Sequence, residues 1–504
     1  MWVRFTLAEV RGIAHYLGML VVGVALTMLL PLGTALVLGE WGPALDYFIG
    51  AALAGTIGVA LMLADVTSPQ ISNRQSLLIS SLAWLFAALV GAVPLALSGN
   101  YGSYLDALFD AMSGFTTSGL TVVQDLDHMA HAHNMWRHLT HLIGGQGIIV
   151  AAISLALAMK GGAISLYMAE GRDERILPNV LHTARFIWFV TAVWVTFGTT
   201  VLSVINWFSG MGAVRGFLHG FWLTMAAFDT GGFGPQSQNA LYYHNPYLEA
   251  GLLMLMLAGT FNFSLHADLW RGDRLEVFKN IEAKTLAANI AICVGLVAIS
   301  FGASSLLSTD AELWRKGVFH IISANSGTGL MTVYPGQWSQ MGGAAIFAIV
   351  LAMGFGGMVS STAGGIKSLR IGLMLSSVVL SVKQALSPRS AVVRVRFHHL
   401  VERFVTPEIT ASAFTYFTLY AVSYISGGVI GAAYGYDPAA AIFESVSAAA
   451  NVGLSVGITG PMMPTGLKVL YIVQMWSGRL EFLSLIALVV AVLLAVKPHR
   501  GVAS

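Results

Sequence analysis

Apolar residues run in blocks along this chain, and the blocks are longer than a soluble core needs. Leu17–Leu38, Leu78–Leu97, Phe186–Val204, Ile290–Leu307 and Leu480–Val496 are near-continuous apolar runs. Runs of about 20 residues match the ~30 Å hydrocarbon core of a bilayer at ~1.5 Å rise per helical residue. The pattern predicts an all-α polytopic membrane protein. A membrane β-barrel would instead alternate apolar and polar positions in segments of about ten. No short apolar run with a small-residue cleavage site precedes the first block, so no cleaved signal peptide is expected.

A second pattern lies between the blocks. Four twelve-residue segments align without gaps: FDAMSGFTTSGL (109–120), WLTMAAFDTGGF (222–233), FHIISANSGTGL (319–330) and FESVSAAANVGL (443–454). Position one is aromatic in each, at Phe109, Trp222, Phe319 and Phe443. Position eleven is glycine in each, at Gly119, Gly232, Gly329 and Gly453, with spacings of 113, 97 and 124 residues. One apolar span precedes each segment and another follows it. The expected unit is span, short helix, Gly-ended loop, span. Two leading spans, about 13–38 and 48–65, occupy 1–76, and four repeats follow at 77–170, 171–275, 276–400 and 401–504. Glycine is also a packing residue between membrane helices. Packing alone does not explain a gapless four-fold match.

Composition agrees with the membrane reading. Of 504 residues, 56% are hydrophobic and 10% charged, and mean hydropathy is +0.73; soluble domains are about a quarter charged. Cys293 is the one cysteine, which excludes an intramolecular disulfide. No basic run interleaved with aromatics points to nucleic acid. Charge distribution gives an orientation. Links between repeats hold Arg172, Arg175 and Arg185, then Arg271, Arg274, Lys279 and Lys284, then Lys383, Arg389, Arg394, Arg396 and Arg403. The opposite links hold only Arg137, Arg215, Arg315, Lys316 and Lys468. The positive-inside rule puts the Gly-ended loops on the outer side.

A half-helix that enters the membrane and stops leaves its last carbonyls unbonded, at the negative end of the helix dipole. Irregular backbone at that depth must line water or be buried in protein. Glycine takes φ > 0 and lets successive carbonyls turn inward, and a ring of carbonyls replaces the hydration shell of a monovalent cation. The hydroxyls of Thr116, Thr117, Ser118, Thr230, Thr328 and Ser455 suit such a lining. No ring of carboxylates flanks the four glycines, which argues against a divalent site.

These residues resemble the Trk/Ktr/HKT superfamily of potassium transporters. SGFTTSGLTV (113–122), LAGTFNFSLH (257–266), STAGGIKSLR (361–370) and GRLEF (478–482) narrow the resemblance to its TrkH-like subunits, over about 77–497. The two leading spans match the extra pair of TrkH-like chains. The resemblance implies K⁺ as substrate, a homodimer with one pore per subunit, and a cytoplasmic nucleotide-binding regulatory ring of the TrkA kind. It implies a multi-pass protein of the prokaryotic inner membrane and no covalently bound cofactor. It places the K⁺-binding filter at Thr117, Ser118 and Gly119; Thr230, Gly231 and Gly232; Gly327, Thr328 and Gly329; and Asn451, Val452 and Gly453. Members with Ser at the first filter glycine favour sodium, and Gly119 favours potassium. Gly231 and Gly327 depart from the pattern and are expected to loosen the filter backbone.

The 342–382 stretch is apolar for roughly two spans, yet its middle, GFGGMVSSTAGGIK (354–367), is rich in glycine and small hydroxyl residues. That composition opposes a continuous helix. A broken second span in the third repeat is expected, with an intramembrane gate comprising Gly356, Gly357, Ser361, Thr362, Gly364, Gly365 and Lys367. Lys367 either contacts pore-lining groups or snorkels to the interface with Arg370. Arg479 lies about a dozen residues into the last span, where a cation costs on the order of 3 kcal/mol and faces a cavity or a partner. It is read as a pore-facing barrier, the alternative being a pair with an acid on another helix. Glu481 is two positions away and off its helix face. Asp110 and Glu444 share one repeat position, with Leu223 and His320 at the other two; acids near a helix start complement its dipole. His128, His131, His133, His138 and His141 are candidates for a metal site, opposed by their irregular spacing. The basic segment Lys383–Arg403 suits the cytoplasmic face.

Two other classes remain. An ion-coupled secondary carrier would place a titratable acid at the site, and none is read beside the four glycines. An intramembrane enzyme would need an acid–base pair, a metal cluster or a nucleophile within the spans, and no such spacing is present.

Overall fold

The structure is a computed structural model that describes residues 5–64, 71–147, 150, 180–301, 304 and 306–496. Arg172, Arg175, Lys497 and the first boundary between repeats, at 170/171, lie outside the described residues. The chain is α-helical, as expected. A four-residue-per-strand hairpin, Arg396–His399 with Val401–Phe404, holds the only strands among the described residues.

The leading pair comprises Leu7–Thr27, continued after Met28 by Leu29–Leu38, and Trp41–Met62. The first helix starts before its apolar block because Thr6 and Glu9 form a reciprocal capping box. Pro31, which has no N–H to offer Thr27, falls just after the interruption. Gly18 and Gly58 let the two helices touch backbone to backbone: a Cβ on Gly58 would lie 2.9 Å from the Gly18 carbonyl oxygen.

Each repeat then opens with a long helix: Asn73–Leu97, Val180–Phe208, Ile281–Ile299 and Pro407–Ala433. A short helix follows: Tyr104–Phe115, Ala213–Phe228, Phe319–Asn325 and Pro438–Ala449. The short helices begin on one side of the molecule, which we call the mouth. Their position-one aromatics, Phe109, Trp222, Phe319 and Phe443, are all at most 1% exposed. The chain returns through a third set of helices, His131–Gln146, Pro246–Thr260, Gly343–Gly354 and Thr465–Arg479.

This third set departs from expectation. A break was expected only in the third repeat, yet the returning helix is also sharply bent in the second and fourth. Pro246–Thr260 meets Phe263–Arg271 at 100°, and Thr465–Arg479 meets Leu483–Val496 at 116°. In the third repeat, residues 355–367 separate Gly343–Gly354 from Ser368–Leu386. The cause is a shared close approach. A Cβ on Gly144, Gly259 or Gly478 would come well inside 3.0 Å of the carbonyl oxygen of Phe115, Phe228 or Ala449, each at the end of its own repeat's short helix. The third repeat uses Asn325, whose Nδ2 donates to Phe355 O at 2.7 Å.

Seven described helices are long and apolar enough to cross a membrane, or nine if each bent pair is one span. Large apolar side chains such as Phe189, Phe347, Val378 and Ile425 are exposed, as a surrounding bilayer requires. Repeat four closes on repeat one: Lys468 Nζ donates to Asp106 Oδ1 at 2.5 Å, and Trp476 Nε1 to Ser81 O at 3.1 Å.

Candidate functional site

The four Gly-ended loops share one backbone conformation. Position eleven has positive φ in each: Gly119 at 78°, Gly232 at 75°, Gly329 at 77° and Gly453 at 96°. Position nine does too: Thr117 at 54°, Thr230 at 52°, Gly327 at 72° and Asn451 at 55°. Gly327 therefore occupies a left-handed position where the other copies strain a side-chain-bearing residue. It does not depart from the shared loop geometry. Gly231 has a separate reason: a Cβ there would overlap the His141 ring.

The loops meet in a closed cycle. A Cβ on Gly119 would lie 2.5 Å from Gly231 O. One on Gly232 would press on Thr328 O, one on Gly329 on Val452 O, and one on Gly453 on Ser118 O, all inside 3.0 Å. Each position-eleven glycine thus abuts the position-ten carbonyl of the next loop, and the fourth returns to the first. All twelve residues expected in the filter come together in this ring.

Its support also repeats. Asp110 accepts from Val122 N at 3.0 Å, from Thr121 Oγ1 at 2.8 Å and from Tyr101 Oη at 3.0 Å. Glu444 accepts from Val456 N at 3.0 Å and Thr459 Oγ1 at 2.8 Å. His320 Nε2 accepts from Thr332 N at 3.2 Å. One side chain at position two thus fastens the backbone twelve residues on, in three repeats. Leu223 cannot do this. In the second repeat Asn239 serves, donating to Gly232 O at 3.0 Å and accepting from Met331 N of the third at 3.1 Å.

Asp110 also accepts from Arg137 Nε at 3.1 Å, and both side chains are at most 1% exposed. Removing one member of a buried pair strands the other charge, at a cost of about 3–5 kcal/mol. Asp110→Ala is expected to lower the unfolding midpoint in detergent sharply. Arg137→Met with Asp110→Leu should recover much of the loss.

Four of the six hydroxyls expected to line the site, Thr116, Ser118, Thr230 and Thr328, bond to another hydroxyl. Thr116 Oγ1 meets Ser118 Oγ at 2.8 Å, and Ser326 Oγ meets Thr328 Oγ1 at 2.8 Å. Ser455 turns away to Glu444. The five histidines do not converge. His128 and His131 line a mouth cavity of about 400 Å³. His133 meets Tyr47 Oη at 3.1 Å, His138 Nε2 lies 3.2 Å from Phe233 O, and His141 packs on the Phe233 ring at 4.3 Å. Among the described residues, no three His, Cys, Asp or Glu side chains are grouped to hold a metal.

The sequence reading missed Asp229. It sits fully buried immediately before Thr230, and its Oδ1 accepts from Gln146 Nε2 at 2.7 Å. The sign was present: an acid three residues before Gly232.

Residues 355–367 lie directly beneath the ring. Thr362 Oγ1 donates to Gly259 O at 2.9 Å and is 3.2 Å from Thr230 Oγ1. A Cβ on Gly364 would overlap Ala450 O, and one on Gly327 would lie 3.1 Å from Gly364 N. Lys367 is buried and donates to Ala363 O, within the same segment. Arg370 pairs instead with Glu481 and stacks on Tyr416 at 3.7 Å. Glu481 reaches it because the helix stops at Arg479 and Glu481 turns to φ 53°. Arg479 donates to Thr362 O at 2.7 Å and to Gly144 O at 2.5 Å. Both of these acceptors are backbone carbonyls. Trp84, Ser360, Ser361, Lys367 and Arg479 border a small cavity of about 30 Å³.

A multi-pass helical protein with four re-entrant loops meeting in a backbone ring is built as a membrane transport protein, not an enzyme. Residues 47–495 match the TrkH family, described as cation transport protein, and the chain belongs to that family. It is 30% identical to an uncharacterised cation transporter of Methanocaldococcus jannaschii, over 96% of each chain. It is 29% identical to the Trk system potassium uptake protein TrkH of Halomonas elongata, over 95% of this chain and 98% of that one. The crystal structure of the potassium transporter TrkH from Vibrio parahaemolyticus shares the fold, with a TM-score of 0.79 at 22% identity, over 97% of this chain and 98% of that one.

Proposed function

We propose that this chain conducts potassium ions into the cell through the ring of four loops. The observation that carries the reading is the closed cycle in which each position-eleven glycine abuts the next loop's position-ten carbonyl. Such packing brings four backbone segments to one narrow passage, where carbonyls stand in for the water around a monovalent cation. Relatives named as potassium uptake proteins support K⁺ as the ion. The segment 354–367 restricts the path beneath the filter, and Arg479 adds a positive barrier. The mouth faces outward across a prokaryotic inner membrane, supported by the excess of Arg and Lys on the opposite links. The relatives' Trk system names support further subunits. The chain acts as a homodimer with a cytoplasmic TrkA-like nucleotide-binding ring.

Purified protein in liposomes, with that ring added where required, is expected to pass K⁺ in preference to Na⁺. Gly119→Ser should lose the preference, because its Cβ would displace Gly231 O. Equal K⁺ and Na⁺ flux through the unaltered protein would reject the filter. One observation favours a second reading, ion-coupled carriage: the buried Asp229 carboxylate beside the filter. Coupled carriage predicts that K⁺ entry moves protons or Na⁺ in fixed ratio. Uncoupled conduction predicts K⁺ flux that follows the K⁺ gradient and membrane voltage alone.

A further inference from the structure

The intramembrane segment is held from two sides. Thr362 is fastened to the filter side, as described above. Its first residues are fastened from the opposite direction, by a group outside the predicted gate. Glu282, in the first turn of the long helix Ile281–Ile299, is wholly buried. Its Oε1 accepts from Val359 N at 2.7 Å. Its Oε2 lies 3.7 Å from Nδ1 of His399, an ion pair when that ring is protonated.

His399 ends the first strand of the hairpin between repeats three and four. Leu400, at the hairpin turn with φ 60°, packs in one apolar cluster with Leu265, Leu286 and Met358. Met358 precedes Val359. The hairpin therefore reaches the segment by two routes, through the Glu282 carboxylate and through the apolar cluster that holds Met358. The face opposite His399 carries Arg396, Glu402 and Phe404, all exposed. A second histidine, His398, anchors it to Glu276 at 2.9 Å, on the link between repeats two and three.

We propose that Glu282 is a positioning residue for the intramembrane segment, and that the hairpin tip, through His399 and Leu400, sets where that segment sits. The hairpin is thus a lever. Displacing it withdraws His399 from Glu282 and Leu400 from the cluster that holds Met358, and loosens the segment at Val359 while Thr362 stays clamped. The physical basis is the cost of leaving a buried carboxylate without its hydrogen-bond partner, which holds Glu282 and Val359 N together. The proposal rests on the reading that this segment restricts the path.

The test reads segment position and flux separately. Ser360, which borders the cavity with Arg479, is replaced by cysteine in a Cys293→Ala background. Its modification by a water-soluble thiol reagent is timed in liposomes, beside K⁺ flux. Glu282→Ala should speed modification about tenfold, the order of change for losing a hydrogen bond to a charged group. Glu282→Gln, which still accepts from Val359 N, should restore most of the slow rate. His399→Ala should speed it less than Glu282→Ala, and the double variant no more than Glu282→Ala alone.

An unchanged modification rate in well-folded Glu282→Ala overturns the proposal. If that variant does not fold, an unchanged rate in both His399→Ala and Leu400→Ala does so. A faster rate with altered flux supports the lever and the restriction together. A faster rate with unaltered flux keeps the lever and rejects the segment as the restriction.

Discussion

Gly329→Ala is expected to abolish K⁺-selective flux while leaving the protein folded. Two penalties fall on the new methyl group. The backbone there has φ 77°, which costs an L-residue about 1–2 kcal/mol. The methyl would also occupy the space of Val452 O, and it would come within 2.9 Å of the Gly453 Cα. Neither neighbour is a flexible side chain that can swing aside. The fourth loop must move, and the carbonyl ring opens. A control separates the two penalties. Gly99 has φ 73° with nothing within 4 Å of its would-be Cβ. Gly99→Ala carries the same torsional cost and should retain both flux and selectivity. The measurement is K⁺ against Na⁺ uptake into liposomes for both variants. Loss in Gly329→Ala alone assigns the effect to the ring. Loss in both would assign it to general destabilisation.

The ring was legible because its constraint is local. A tight approach of backbone to backbone admits only glycine, and that requirement recurs four times in register. Position nine was not legible, because Thr, Thr, Gly and Asn all adopt the left-handed region there; only the shared torsion reveals their equivalence. The broken returning helices were hidden for a different reason. Polar residues sit at both bends, Thr260 and Asn262 in the second repeat and Arg479 and Glu481 in the fourth, but each run as a whole stays apolar enough to read as one span. The break is imposed by packing against the short helices. Glu282 was hidden for a similar reason. An acid in the first turn of a helix is explained by the helix dipole alone. Only the structure shows its carboxylate turned toward Val359.

Arg479→Ala is expected to raise K⁺ flux by about a hundredfold if its charge opposes the ion. At ~6 Å and an effective dielectric of about 20, one positive charge repels a passing cation by roughly 3 kcal/mol, which corresponds to that factor. The geometry offers a competing cause. The guanidinium also clamps Thr362 O and Gly144 O, so its loss frees the intramembrane segment as well. Arg479→Lys separates these. Lysine keeps the charge but cannot reproduce the planar fork that spans both carbonyls. If charge is the barrier, Ala and Gln variants conduct rapidly and the Lys variant stays slow. If the clamp is the barrier, all three conduct rapidly, and Thr362→Ala, which releases the segment from Phe228 O and Gly259 O, should do so with Arg479 in place. Glu481 lines the same small cavity as Arg479 and is engaged by Arg370. The guanidinium thus both joins the intramembrane segment to the first repeat and carries a charge that a passing cation would meet, and the Lys variant decides between the two.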